Sequence, residues 1–146
     1  MQNLEDFVYK ASRWQDLYAH LKKFNFDVYS PGVKLGECEA PYVVIKQDGS
    51  SFQTFASTYV DLYTIMVFVP KEKYSLLDAE VQRVKRAMKF VEPLFYATGA
   101  QTPSYYDDSI KAHMVSITYK NYKYFEFVQL EHSLRSKFGG VRRWAR

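Results

Sequence analysis

Residues 60–70, Val-Asp-Leu-Tyr-Thr-Ile-Met-Val-Phe-Val-Pro, constrain this chain more than any other stretch of it. In an extended backbone successive side chains point to opposite faces. One face of the strand that contains the run carries Val60, Leu62, Thr64, Met66 and Phe68, and the other carries Tyr59, Asp61, Tyr63, Ile65, Val67 and Val69. Both faces turn apolar toward the C-terminal half. A strand of this kind, roughly Ser57 to Val69, has to be covered above and below, which places it inside a sheet and not at a solvated margin. Pro70 ends it, because proline has no N–H to give to a ladder.

The flanking periods supply the covering material. Leu4, Phe7, Val8, Ala11, Trp14, Leu17, Tyr18, Leu21 and Phe24 recur at helical spacing and predict an amphipathic helix. Asn25 and the Ser30-Pro31-Gly32 triplet break that pattern, so residues 27–40 read as irregular with a short strand near Val28 and Tyr29. Pro41 to Lys46 is β-branched and aromatic, and Asp48-Gly49 supplies turn chemistry for a reversal. The segment Ser50 to Ser57, with Phe52 and Phe55, then reads as a protruding hairpin end or loop. Ser75 with Asp78 three residues on has capping-box spacing and predicts the start of a second helix. Its apolar stripe is Leu77, Val81, Val84, Met88 and Val91, its basic flank Arg83, Lys85, Arg86 and Lys89, and Pro93 with Gly99 ends it in the nineties. A Tyr-rich polar loop, residues 101–109, precedes a strand over residues 110–119. That strand has Val115, Ile117 and Tyr119 on one face and Ala112, Met114 and Ser116 on the other. Asn121 offers a turn into a last segment that begins strand-like and ends helix-like.

These elements predict an α/β (α+β) domain over residues 1–130: one mixed, mostly antiparallel sheet with two main helices packed on one side. Trp14, Leu17, Leu62, Met66, Val81, Val84 and Val115 are the expected core. At 146 residues the chain is long enough to bury one. The formal charge of +4 is uneven, since residues 1–130 hold 15 basic and 15 acidic residues whereas the extension 131–146 holds five basic and one acidic. That extension reads as a basic, aromatic terminus across a Gly139-Gly140 joint.

Composition narrows the function classes. A single cysteine, Cys38, excludes an intramolecular disulfide framework and points to a reducing compartment. Glu5 and Asp6 stand where a signal peptide would be basic, and no run approaches about 18 apolar residues, so a soluble protein that does not cross a membrane is expected. His20, His113 and His132 share no ligand spacing, and there is no glycine-rich phosphate loop or nucleophile elbow. Cys38 lies between Glu37 and Glu39, and neighbouring carboxylates disfavour a thiolate. Asp107-Asp108 lacks further oxygen ligands at ordered spacing and reads as a capping pair. No catalytic, metal or cofactor-binding residue is therefore expected. The basic flank of the second helix, and the alternation of Lys with Tyr and Phe over residues 119–127, have the composition of a phosphate track and a base-stacking surface. Glu80, Asp78 and Glu92 on the same helix favour a solvated or subunit face instead.

The order of elements, with Val69-Pro70 closing the long strand, Ser75 to Asp78 opening a helix and Thr118-Tyr119 in the last strand, resembles the tail terminator proteins of long-tailed bacteriophages over roughly residues 4–120. The resemblance implies a structural virion protein, made in the host bacterial cytoplasm, that forms a homo-hexameric ring at the neck. Such a ring caps the tail tube, ends tube polymerisation and offers the head-tail joining surface. The implied partners are further copies of the chain, the major tail tube protein, a head-completion or connector protein, and DNA passing through the channel. A closed ring uses two different patches of each subunit, for which sheet edges and aromatic side chains are suitable. The candidate contacts are Phe52, Phe55, Tyr59, Tyr63, Tyr122 and Tyr124, with Phe138, Arg142, Arg143 and Trp144 in the extension. Another head-completion or connector protein, a nucleic-acid-binding domain using the basic helix and the extension, and a small enzyme or ligand-binding domain are the alternatives.

Overall fold

A computed structural model describes residues 13–53, 58–92 and 94–122, leaving aside the side chains of 51–59 and 122. In chain order come α1 (Trp14–Lys23), β1 (Val28–Tyr29), β2 (Tyr42–Gln53), β3 (Thr58–Pro70), α2 (Leu77–Met88), β4 (Phe95–Gln101), β5 (Tyr105–Asp107) and β6 (Ala112–Tyr122). A 3₁₀ segment, Lys71–Leu76, leads into α2 and another, Lys89–Val91, leads out of it.

The strands form one mixed sheet in the order β1-β2-β3-β6-β4, with β5 also paired to β6. β1 runs parallel to β2, and the other described pairs are antiparallel. β3 is central: it pairs with β2 from Tyr42↔Phe68 to Gln53↔Thr58, and with β6 from Val60↔Tyr122 to Pro70↔Ala112. Its two faces are covered by different material. Tyr63, Ile65, Val67 and Val69 join Val43, Ile45, Val115, Ile117 and Tyr119 beneath Leu17 and Leu21 of α1 and Val81, Val84 and Met88 of α2. Both helices therefore pack on one side, as expected. On the reverse face Phe68 joins Tyr42, Val44 and Ala112 beneath Cys38 of the loop between β1 and β2, with Met66 packed alongside. That loop is fastened by the Cys38 N–H, which donates to the Ile110 carbonyl at 2.7 Å, and the Tyr42 and Phe68 rings stack at 4.7 Å.

Several sequence expectations are corrected. Asp48-Gly49 does not reverse the chain. β2 runs on to Gln53, and the register shifts between Gln47 and Ser50 while β3 advances only from Tyr63 to Asp61. This is a bulge with one extra residue, and Gly49 at φ +90° takes the left-handed position. Ser75 and Asp78 form no capping box: the residue before α2 is Leu76, with no side-chain cap bond. The 3₁₀ segment removes the need for one, since the Leu77 N–H already finds the Tyr74 carbonyl. α2 ends at Met88, earlier than expected. Residues 95–101 and 105–107, read as helix end and loop, are β4 and β5. Asn121 does not turn the chain; it is fully buried within β6 and its amide donates to the Leu94 carbonyl at 2.9 Å. Of the expected core, Leu17, Val81, Val84 and Val115 are buried, and Trp14 and Met66 are half-buried against the two clusters. Leu62 is only half-buried, because its end of the reverse face lies beyond the covering loop, opposite Lys120. The part of the first helix before residue 13 lies outside the described residues.

The two faces of β3 predict unequal mutational costs. Ile65, with no exposed surface, should lose about 2 to 5 kcal/mol on change to Ala. Leu62→Ala should lose under about 1 kcal/mol. Urea midpoints at constant slope measure both, and equal losses would show the uncovered end of β3 to be as dry as its helix-facing side.

Candidate subunit interface

Of the ten candidate contact residues, Tyr63 is the one whose side chain is described, and it is not at the surface. It has no exposed area, its ring meets Phe95 edge-on at 5.4 Å, and its hydroxyl accepts the Arg13 backbone N–H at 2.8 Å. An odd-numbered position on β3 faces the helices, so this tyrosine is a core residue whose one polar atom is satisfied. The side chains of Phe52, Tyr59 and Tyr122 lie outside the described residues, as do Phe55, Tyr124, Phe138, Arg142, Arg143 and Trp144 entirely.

The described surface instead exposes large apolar side chains in three other places. At the helix side, Phe24 follows α1 and Phe90 follows α2, with ring centroids 5.4 Å apart and the His20 ring tilted against Phe24 at 4.9 Å. Arg83 fastens this corner. The Arg83 guanidinium donates to Glu80 at 3.1 Å and to the carbonyls of Phe24 and Asn25 at 3.1 and 3.0 Å, while lying 4.0 Å from the centre of the Phe26 ring. Arg83 thus ties α2 to the turn after α1, where Asn25 has φ +66° and the carbonyls lack helical partners. His20 Nε2 bonds the Ala87 carbonyl at 2.7 Å, which requires that nitrogen to carry the proton. Lys23, Arg86 and Lys89 are exposed around the patch.

On the reverse face, Val33 and Leu35 project from the loop over the second cluster, 60% and 80% exposed. Lys34 between them turns inward, 5.7 Å from the centres of both the Tyr29 and Tyr42 rings. Glu37 and Glu39 point to solvent and Cys38 is buried, its thiol donating to the Ala40 carbonyl at 3.3 Å. Burial pushes the Cys38 thiol upward, against a smaller opposing effect from Lys34. Desolvation, more than the flanking carboxylates inferred from sequence, disfavours the thiolate.

The third place is one end of the sheet, where Tyr74, Leu76 and Tyr105 are exposed. His113 sits there between Tyr74 and Tyr106, at 4.7 and 5.0 Å, and donates from Nε2 to the Lys71 carbonyl at 3.1 Å. Asp107 accepts from the Ser109 N–H and hydroxyl, and Asp108 pairs with Lys111 at 3.0 Å, which holds its carboxyl below the usual range. The acidic pair therefore shapes the turn into β6. Among the described residues no three His, Cys, Asp or Glu side chains gather as metal ligands, and no helix is long and apolar enough to cross a membrane.

A cleft of about 390 Å³ separates the end of α2 from β4, floored by Met88, Phe95, Ile117 and Tyr119 and rimmed by Lys85, Lys89 and Glu92. It opens because β4 leaves β6 between Ala97 and Gln101, around Gly99 at φ +85°. Burial pushes the Tyr119 hydroxyl up to about 12, so it stays a neutral donor at any physiological pH. The one carboxylate among its described lining residues, Glu92, pairs with Lys89 at 3.5 Å.

No protein-family model matches the sequence, and no curated protein matches it.

Arg83 and Arg86 are neighbours on the basic flank with different roles. Arg83→Lys should cost about 1 to 2 kcal/mol, since an ammonium cannot bridge a carboxylate and two carbonyls together. Arg86→Gln should stay within about 0.5 kcal/mol of wild type. Chemical unfolding of the two variants checks the contrast.

Proposed function

We propose that this chain is a structural, non-enzymatic protein of a bacteriophage neck. In that role it assembles head to tail into a homo-hexameric ring that caps the tail tube, ends tube polymerisation and presents the surface for head-tail joining. The further partners of such a ring are the major tail tube protein and a head-completion or connector protein, with DNA passing through its channel and the virion neck as its location.

One observation carries the proposal beyond the resemblance of element order. A single small sheet leaves large apolar side chains exposed in distinct places on both of its faces, Phe24 and Phe90 on one and Val33 and Leu35 on the other. A closed ring requires two unlike patches per subunit, and these two places can supply them. On the basic flank that a nucleic-acid reading would use, Arg83 is spent on Glu80 and two carbonyls and Lys89 pairs with Glu92 at 3.5 Å, which leaves Lys85 and Arg86.

Light scattering with negative-stain microscopy tests the proposal. The expected particle is a closed ring with six times the chain mass of 17.2 kDa, its copy number constant as concentration rises. A chain that stays monomeric, or open filaments of variable length, would contradict it.

A further inference from the structure

Resting on the ring proposal for its symmetry, a pair of surfaces stands out by complementary chemistry. The loop between β1 and β2 offers Val33 and Leu35 together with the exposed carboxylates Glu37 and Glu39. Its one cation, Lys34, is folded onto Tyr29 and Tyr42, so the outward charge of the loop is negative. The helix corner offers Phe24 and Phe90 in contact, with the exposed cations Lys23 and Arg86 beside them. Among the described residues neither Lys23 nor Arg86 is in an ion pair, in contrast to Arg83 and Lys89.

Each surface has an apolar centre, and the exposed charges beside it that are in no ion pair among the described residues are of one sign, an apolar core with a polar rim being the usual anatomy of a protein interface. The two lie on opposite faces of one sheet, since the loop covers the cluster of Phe68 and Tyr42 while the helices cover that of Ile65 and Val67. One copy cannot bring them together; two copies can. We infer that the acidic, apolar loop at Val33 to Glu39 docks on the basic, aromatic corner at Phe24 and Phe90 of a second copy of this chain. Leu35 seats against the two rings, and the Glu37 and Glu39 carboxylates meet Lys23 and Arg86. The contact is heterologous, so every subunit retains one unused surface until the assembly closes. Complementary rim charges also set the register and oppose loop-to-loop or corner-to-corner pairing.

Charge reversal of the full-length chain tests the contact. Glu37→Lys with Glu39→Lys places like charges against the corner, and Lys23→Glu with Arg86→Glu does the same from the other side. Each double variant should keep its thermal unfolding midpoint and associate about tenfold or more weakly, measured by sedimentation. Mixing the two in equal amounts should restore association, because reversed loop then meets reversed corner and native loop meets native corner in alternation. A chain carrying all four changes should associate by itself. Association that survives both reversals unchanged, or a wild-type chain that stays monomeric throughout, overturns this contact. The ring proposal fails on a different outcome: if the reversals and the mixture behave as expected but the assembly runs open, the contact stands and the ring does not.

Discussion

Burial of β3 on both faces is the constraint on which the rest of the structure depends. A strand whose two sides are apolar cannot stand at a margin, so β2 and β6 must flank it, and each face needs its own cover. The helix-facing side receives α1 and α2, whose buried side chains share one cluster with Ile65, Val67 and Val69. The reverse side receives a loop instead, anchored by the Cys38 to Ile110 backbone bond. The cover on that side ends where Thr64 and Leu62 begin. There the face turns polar, and the Thr64 hydroxyl donates to Asp48, which also pairs with Lys46 at 3.3 Å. The bulge at Gly49 aims Asp48 at that spot, so a local irregularity of β2 completes what the loop leaves uncovered.

The unequal covers have a second consequence. A loop recruited as a lid has no solvent-facing helix stripe to keep polar, and Val33 and Leu35 remain outside after Cys38, Tyr29 and Tyr42 have gone in. The helices leave a comparable residue at their ends, where Arg83 clamps the turn after α1 and holds Phe24 beside Phe90. Surface that one chain cannot bury is thus a product of the same arrangement that builds its core.

Periodicity made β3, α2 and the middle of β6 legible in the sequence, because each is long and repeats its pattern several times. The short strands were not. β4 begins Phe-Tyr-Ala-Thr-Gly and is exposed from Ala97 on, so only Phe95 carries an inward signal; β5 is three residues long. Asp48-Gly49 has the composition of a turn and of a bulge alike, and only the pairing of Ser50 with Asp61 decides between them. The amphipathic ring of Tyr63 suits an interface as well as a core, but its odd-numbered position on β3 faces the helices. The exposed pair Val33 and Leu35 has a signal in the sequence, two large apolar residues inside a Pro- and Gly-bounded segment with no strand or helix period. Phe90 likewise falls off the stripe of Val84, Met88 and Val91. Apolar residues that fit no period mark surface as readily as core.

Hydrogen exchange of the native chain, resolved by residue, tests the central role of β3 most directly. If the two covers and the two flanking ladders act as one unit, the amides of Ile65 to Phe68 and of their β6 partners Met114 to Ile117 exchange slowest of all. They should do so only through global unfolding, with an opening free energy equal to that from urea denaturation. Exchange of these amides through a smaller, local opening, or slower exchange in α1 or β4 than in β3, would contradict the account.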